Sequence, residues 1–289
     1  DVYELLSKIV PLYEELLKTI SALDDEVVVQ IDEPIFAKGL EMKVLSLIKP
    51  TYDRLARVSP NIKIAVVTYF EHSNEATKIL VHTPIWAIGL DFLYGDENLK
   101  SLDIIAMSGK KLIAGVVDGR NIWRCNMEKT THLLESISNF VSKERILISS
   151  SCSLLHVPFT LKYEEKMSGE IKEWLSFALE KLSEISLLSK LFFDGDGSLD
   201  EREKEALSSN IKANQNRKNS PLIHDKIVQD RVENHTKFQR DGDAKERLKL
   251  QREILGYSDL VTTTIGSFPQ TPQLRCARSD FKAALVSKE

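Results

Sequence analysis

The sequence predicts an α/β protein in which short buried strands alternate with helices. Short β-branched and apolar runs recur along the first half of the chain, longer polar–apolar stretches separate them, and polar residues follow each run. Continuous apolar runs are typical of strands buried on both faces, and helical crossovers between such strands make the sheet parallel. We therefore predict strands at residues 27–31, 63–68, 86–92, 112–117 and 146–149.

Regions outside this sheet have their own patterns. Residues 2–23 and 166–192 carry apolar side chains at spacings of three and four, so each is predicted to form an amphipathic helix. Pro11 is expected to kink or break the first of these helices, because proline lacks an N–H donor and clashes with the preceding turn. Residues 200–253 are rich in charged residues and poor in large apolar ones, which predicts a helical or partly disordered linker. Residues 260–268 (LVTTTIGSF) then predict one more strand, with which a second domain begins.

Polar residues follow every predicted strand of the sheet. A polar residue at each carboxyl end is what a (β/α)8 barrel shows at its active face. Because five βα units are too few to close such a barrel, either the sheet is open or three more units precede Asp1. The strand-end residues are Asp32 and Glu33, Tyr69, Asp91, Asp118 and Arg120, and Ser151 and Cys152.

Composition and charge bear on whether the protein binds nucleic acid or membranes, and on whether it is cytoplasmic or secreted. The formal net charge of −4 gives no global reason to expect nucleic acid or an anionic membrane as a partner. The apolar runs are shorter than the roughly 20 residues that a membrane-spanning helix requires. The chain opens with Asp1 and lacks the start of a secretory signal, so we expect residues to be missing in front of it. Three cysteines, widely spaced and odd in number, indicate a cytoplasmic protein without a disulfide framework.

The string Asp32-Glu33-Pro34 closes the first strand and has two interpretations. Paired carboxylates at a strand end can bind an amine or act as acid and base. Alternatively, one carboxylate caps the next helix, which Pro34 begins. The local pattern favours neither interpretation.

Two further motifs resemble metal sites. Cys152 and His156 have a spacing that can place two metal ligands together, but structural zinc requires four, so we predict a buried thiol and a hydrogen-bonded histidine. Residues 194–200 (DGDGSLD) resemble a calcium loop. The EF-hand pattern requires Gly at its sixth position, where this chain has Leu199, although its twelfth position, Glu205, agrees with the pattern. We therefore predict a polar turn there.

A ten-residue string near the end of the chain, residues 262–271 (TTTIGSFPQT), is long and specific. It resembles the opening of the catalytic barrel in the cobalamin-independent methionine synthase family. The resemblance covers nearly the whole chain, because four other segments agree in the family's order. These are residues 29–34 (VQIDEP), 68–70 (TYF), 117–123 (VDGRNIW) and 149–158 (SSSCSLLHVP).

The resemblance implies a fold and a domain plan. Members of this family have two (β/α)8 barrels face to face, joined by a long segment. The expected fold class is therefore α/β: an incomplete (β/α)8 TIM-type barrel followed by a helical linker and the start of a second barrel. On this plan residues 1–193 are the latter part of the N-terminal barrel, 194–260 are the inter-barrel helical or flexible linker, and 261–289 start the C-terminal catalytic barrel.

The resemblance also implies an activity. The family moves a methyl group from 5-methyltetrahydropteroyltri-L-glutamate to homocysteine, forming methionine without cobalamin. A zinc ion in the C-terminal barrel activates the homocysteine sulfur as a thiolate. The family's zinc ligands lie beyond this chain, and its polyglutamate contacts lie before it. We therefore expect a monomer that is inactive alone, with no catalytic residue and no metal ligand in this chain.

One substrate contact of the family falls within the chain. Ile265, Gly266 and Ser267 match the segment that contacts the amino-acid end of homocysteine. A strand-end glycine lets backbone groups approach a ligand, and serine adds a hydroxyl. Two departures from the family pattern, Val261 for Pro and Gln273 for Glu, lie outside this segment.

The two barrels of the family look like a duplication, so the first barrel has strand-end positions that match the metal site of the second. The catalytic barrel holds zinc with a His-x-Cys pair, a Glu and a Cys. The matching strand ends here are Thr68–Phe70, Asp91 and Cys152. Since two ligands do not hold zinc tightly, this half is predicted to be a scaffold. The alternative function is a non-catalytic α/β binding or scaffold module, and a gene that continues into a His-x-Cys strand would favour the enzyme.

Overall fold

Five parallel strands form one half-barrel sheet, in the order β1-β2-β3-β4-β5. This computed structural model describes residues 2–236, 240, 242–258, 260–264 and 266–287. All neighbouring strands pair in parallel, which confirms the predicted α/β class and the incomplete barrel. The strands are β1 (Val27–Asp32), β2 (Ile62–Val67), β3 (Ala87–Asp91), β4 (Lys111–Val117) and β5 (Ile146–Ser150).

Helices precede, connect and follow the strands. The first, α1, precedes β1, and the next four alternate with the strands, so that a helix connects each parallel strand to the next. They are α1 (Val2–Ser21), α2 (Met42–Leu55), α3 (Asn74–Leu80), α4 (Leu102–Ser108) and α5 (Met127–Ser138). The later helices are α6 (Gly169–Glu173), α7 (Ala178–Asp194), α8 (Glu201–Asn219), α9 (Lys226–Glu233), α10 (Ala244–Leu255) and α11 (Pro272–Lys282).

The hydrophobic core lies between the sheet and its helices. The central strand β3 is buried along its whole length, whereas the edge strand β1 alternates between half-buried and exposed residues. Each fully buried Leu or Ile contributes about 1.5–3 kcal/mol to folding. The core includes Ile64, Val66, Ile88, Leu112 and Val116 on the strands, and Leu17, Leu45, Leu80, Leu134 and Leu188 on the helices.

The single helix predicted over residues 166–192 is wrong, because the structure has two helices, α6 and α7, in that region. The chain between them forms backbone hydrogen bonds with a distant loop instead. The Ser176 N–H donates to the Ile122 carbonyl at 2.8 Å, and the Arg124 N–H donates to the Trp174 carbonyl at 2.8 Å. Apolar spacing alone does not reveal such a competing interaction.

The chain divides into two compact units, residues 1–224 and 225–289. Helix α8 belongs to the first unit, where the Asn210 amide donates to the Cys125 carbonyl at 2.8 Å. The predicted boundaries after residues 193 and 260 remain predictions. The polar turn at residues 194–200 is confirmed, and Asp200 ends it by accepting the Glu203 N–H at 2.9 Å as the N-cap of α8.

The second unit contains α9, α10 and α11. The strand predicted at residues 260–268 is wrong for the described residues there, 260–264 and 266–268, which form no strand. A β-strand is stabilised by its hydrogen-bonded neighbours. The described part of this unit contains no other strand with which these residues could pair.

Candidate functional site

Side chains at the carboxyl ends of the strands form a connected cluster. We call Phe70, Asp91, Tyr94, Asp118 and Arg120 the strand-end cluster. Hydrogen bonds link the ends of β2, β3 and β4: the Phe70 N–H donates to Asp91 at 3.1 Å, and the Tyr94 hydroxyl donates to Asp118 at 3.0 Å. The polar residues predicted at these strand ends therefore lie together at one edge of the sheet.

Asp91, at the end of β3, organises the backbone of this edge. Its side chain is buried, and its carboxylate accepts the N–H groups of Phe70, Leu93 and Tyr94 at 3.1, 2.9 and 3.0 Å. Burial raises the pKa of Asp91, while these three N–H groups oppose that rise. Because its oxygens are committed to the backbone, Asp91 is a positioning residue rather than a free ligand.

Phe70 has a strained backbone. Its φ of +83° lies in the left-handed region that non-glycine residues rarely adopt. The Asp91 carboxylate holds the Phe70 N–H, and the Phe70 ring packs edge-on against Tyr69 and His156 with centroids 4.8 and 5.2 Å apart. Strain of this kind, about 1–3 kcal/mol, persists where the surroundings over-determine a conformation, and it is concentrated at functional sites.

Asp118 fixes the loop that follows β4. Its carboxylate accepts the N–H groups of Arg120 and Asn121 at 2.8 and 3.1 Å, as well as the Tyr94 hydroxyl. The Arg120 guanidinium then lies 5.4 Å from the centre of the Phe70 ring and 4.9 Å from the centre of the Tyr94 ring. The loop thus presents a cation over two aromatic rings.

The two carboxylates at the carboxyl end of β1, Asp32 and Glu33, have separate partners. Glu33 accepts the Tyr52 hydroxyl at 2.7 Å, and burial raises the pKa of Glu33. Asp32 accepts the side-chain amide of Gln30 at 2.7 Å. Pro34 does begin a 3-10 helix at residues 34–37, but Glu33 forms no side-chain cap for it. The prediction that Pro34 begins the next helix is therefore confirmed, whereas the prediction that a carboxylate caps this helix is wrong for Glu33.

Cys152 and His156 do not form a pair of ligands. The Cys152 thiol is buried, as predicted, and close packing surrounds it: a Cβ on Gly119 would lie 2.6 Å from the Cys152 carbonyl oxygen. His156 is exposed, and its ring packs against Phe70. The hydrogen bond predicted for its side chain is absent among the described residues.

The strand ends that match the family's zinc site do not fit a zinc ion. The Thr68 hydroxyl donates to the Gly89 carbonyl at 3.1 Å, and Asp91 is committed to three N–H groups. Burial raises the pKa of Cys152 to about 11, which opposes the thiolate that binds zinc. Among the described residues no group of three or more His, Cys, Asp or Glu side chains is placed to hold a metal.

We therefore expect the chain to bind less than about 0.1 zinc per molecule, because tight zinc sites use three or four protein ligands. The measurement is elemental analysis after dialysis of protein purified with zinc in the medium. One tightly held zinc per chain, lost in Cys152→Ser, would contradict this expectation. A Cys276→Ser variant is the matched control.

The three cysteines are expected to differ in reactivity. Burial raises the pKa of Cys125 to about 12 and that of Cys152 to about 11, whereas Cys276 is exposed. Because the thiolate is the nucleophile, about one thiol per chain should react with iodoacetamide at neutral pH. Mass spectrometry should place the label on Cys276, and all three cysteines should react after unfolding. Labelling of Cys152 to the same extent as Cys276 in the folded protein would contradict the buried position of the Cys152 thiol.

The predicted homocysteine-contacting segment lies in the second unit. Gly266 has a φ of +85°, and the Thr264 hydroxyl donates to its carbonyl at 2.8 Å. Ser267 is exposed. Ile265 lies outside the described residues. The two described residues of this segment are thus exposed, and Gly266 adopts a conformation that favours glycine.

Helix α7 carries a buried polar pair, Lys181 and Glu184, that the sequence pattern does not predict. Lys181 is fully buried and donates to the Trp123 carbonyl at 3.0 Å, and Glu184, also buried, accepts the Cys125 N–H at 3.0 Å. Burial lowers the pKa of Lys181 and raises that of Glu184. Both side chains fix the loop after β4, and no signal in the helical periodicity marks them.

An open cavity of about 640 Å³ lies between α7 and α8 in the first unit. Its walls combine acidic and basic side chains, including Glu184, Arg124 and Arg202.

Comparisons with known proteins decide the family. Residues 1–142 match the model of the cobalamin-independent synthase N-terminal domain. The chain is 48% identical, over 288 residues, to a 5-methyltetrahydropteroyltriglutamate–homocysteine methyltransferase of Desulforamulus reducens. The chain belongs to the cobalamin-independent methionine synthase family. The alignment covers 100% of this chain and 37% of that relative.

A second sequence relative of this synthase family agrees. A protein of Schizosaccharomyces pombe, named a probable methyltransferase of the same specificity, is 34% identical over 288 residues, covering 99% of this chain and 37% of its own length. A solved B12-independent methionine synthase from a Shewanella species matches with a TM-score of 0.46 and 18% identity, over 65% of this chain and 54% of that chain. Membership rests on the sequence relatives, of whose length the chain spans 37%.

The structure adds one observation about membranes. Among the described residues no helix is both long and apolar enough to cross a bilayer.

Proposed function

We propose that this chain is part of an enzyme that moves a methyl group from 5-methyltetrahydropteroyltri-L-glutamate to homocysteine, forming methionine. The observation that carries the proposal is the 48% identity, over the full length of the chain, to a relative with that name. The enzyme works in the cytoplasm as a monomer and needs no cobalamin.

Within that enzyme the chain has two roles. Residues 1–193 are the latter part of an N-terminal barrel and serve as scaffold. Support comes from the strand ends that match the family's zinc site. The side chains of Thr68 and Asp91 form hydrogen bonds with the backbone there, and burial raises the pKa of Cys152, which keeps it a neutral thiol. Residues 194–260 link the barrels, and residues 261–289 start the catalytic barrel.

The substrate-contacting residues of the chain are Ile265, Gly266 and Ser267, which hold the amino and carboxylate groups of homocysteine. The exposed backbone at Gly266 and the Ser267 hydroxyl offer the polar groups that such a ligand requires. Zinc, which binds the sulfur in this proposal, is held by residues beyond Glu289.

The isolated chain is expected to show no methyl transfer. Its affinity for homocysteine should be weaker than about 1 mM, because only a few of the substrate contacts lie within it. Calorimetry and a product assay for methionine provide the two measurements. Tight homocysteine binding by the chain alone would place a complete substrate site within it and contradict this division of roles.

A chimera tests the proposal itself. The chain replaces the aligned segment in the Desulforamulus reducens relative, and the gene is introduced into a bacterium that requires methionine. Growth without methionine is the expected result. A chimera that is folded and expressed at the level of the relative, yet supports no growth, would count against the proposed function. The unaltered relative is the positive control.

A further inference from the structure

Arg120 presents an ordered guanidinium at the carboxyl end of the sheet. The group lies within about 6 Å of two ring centres, the range over which aromatic faces attract cations. The distances are 5.4 Å to the Phe70 ring and 4.9 Å to the Tyr94 ring. These rings come from the ends of two other strands, so tertiary structure places the cation rather than local sequence.

The backbone beneath Arg120 is also fixed. The Asp118 carboxylate accepts the Arg120 and Asn121 N–H groups, and the Asn121 side chain accepts the Trp123 N–H at 2.9 Å. Holding a long side chain in one place costs conformational entropy. Because the loop that carries Arg120 is already ordered in the unbound chain, less conformational entropy is lost when a ligand binds, which favours binding.

The charge of Arg120 has no ion-pair partner. Among the described residues no carboxylate oxygen lies within 4.0 Å of its guanidinium nitrogens, although nine other ion pairs of this kind occur there. The adjacent acid, Asp118, accepts the Tyr94 hydroxyl and two backbone N–H groups instead. Arg120 itself is exposed, so its N–H donors are open to a ligand.

We propose that Arg120, ordered by Phe70 and Tyr94, is a binding site for the carboxylate of a small molecule or of a peptide side chain. The guanidinium carries a fork of N–H donors that matches the two oxygens of a carboxylate. The strained Phe70 backbone is consistent with a ring held in place for function. This proposal does not depend on the proposed methyl transfer.

The test is a titration of the chain with succinate at constant ionic strength, followed by the side-chain N–H signal of Arg120 in nuclear magnetic resonance. Saturable binding with a dissociation constant of about 1 mM is expected for one bidentate contact. Arg120→Gln should weaken binding at least tenfold. Arg120→Lys keeps the charge but loses the fork, so it should weaken binding at least threefold.

Arg57→Gln is the matched control, because Arg57 is also exposed and follows α2, at the amino-terminal edge of the sheet. It should leave the affinity unchanged, and all variants should unfold at the temperature of the parent chain. A second titration with inorganic phosphate identifies the anion. Tighter binding of phosphate than of succinate would overturn the carboxylate assignment. Absence of saturable binding, or equal weakening in Arg57→Gln, would overturn the site.

Discussion

Asp91→Ala is expected to lower the free energy of unfolding by about 3–4 kcal/mol, since it leaves several buried donors without a partner. The Asp91 carboxylate is fully buried and accepts three backbone N–H groups. One of these holds Phe70 in its left-handed conformation. Urea unfolding followed by circular dichroism measures the change.

The Asp91→Asn variant, measured in the same way, separates partial from complete loss of the Asp91 hydrogen bonds. The amide oxygen can replace one carboxylate oxygen, but its NH₂ group then faces an N–H donor. The loss should therefore be smaller, about 1–2 kcal/mol. Asp25→Ala, at an exposed loop position, is the control and should change stability by less than about 0.5 kcal/mol. Equal stability of Asp91→Ala and the control would show that Asp91 does not organise the strand ends.

Gly266→Val in the chimera is expected to raise the Michaelis constant for homocysteine about tenfold or more, a loss of about 1.4 kcal/mol in binding. The φ of +85° at Gly266 is costly for a β-branched residue, so the backbone that meets the ligand must shift. A Cβ there meets nothing within 4 Å in this chain, so the effect comes from conformation rather than from a clash.

The control for this prediction is Gly256→Val. Gly256 also has a positive φ, of +63°, and a Cβ there likewise meets nothing within 4 Å. It ends α10 and is not one of the proposed substrate contacts. The zinc content of both chimeras should be that of the parent chimera, because neither glycine holds a metal. Normal homocysteine kinetics in Gly266→Val would remove the substrate contact that we assign to this chain.

The strands were predictable because each contains a short apolar or β-branched run. Residues 112–117, for example, contain no charged side chain, and β4 occupies residues 111–117. The gathering of polar residues at the strand ends followed from the parallel order. In these regions local pattern and tertiary structure agree, which is the condition under which sequence predicts fold.

Prediction failed where distant contacts override local pattern. On α7, Leu179 and Leu182 are among the regularly spaced apolar residues from which the helix was predicted, yet they are 42% and 53% exposed. Lys181 is buried instead, because its ammonium group donates to the Trp123 carbonyl. The positive φ of Phe70 likewise depends on a carboxylate 21 positions along the chain. Neither feature has a signal in helical spacing or in residue type.

Methyl transfer by the purified chimera tests the central claim most directly. The chimera carries this chain in place of the aligned segment of the Desulforamulus reducens relative, and methionine formed from homocysteine and 5-methyltetrahydropteroyltriglutamate is measured by mass spectrometry. We expect a turnover number within about tenfold of that of the relative, equivalent to less than about 1.4 kcal/mol in the barrier. A folded chimera with the zinc content of the relative but no methionine formation would contradict the assignment of this chain to that enzyme.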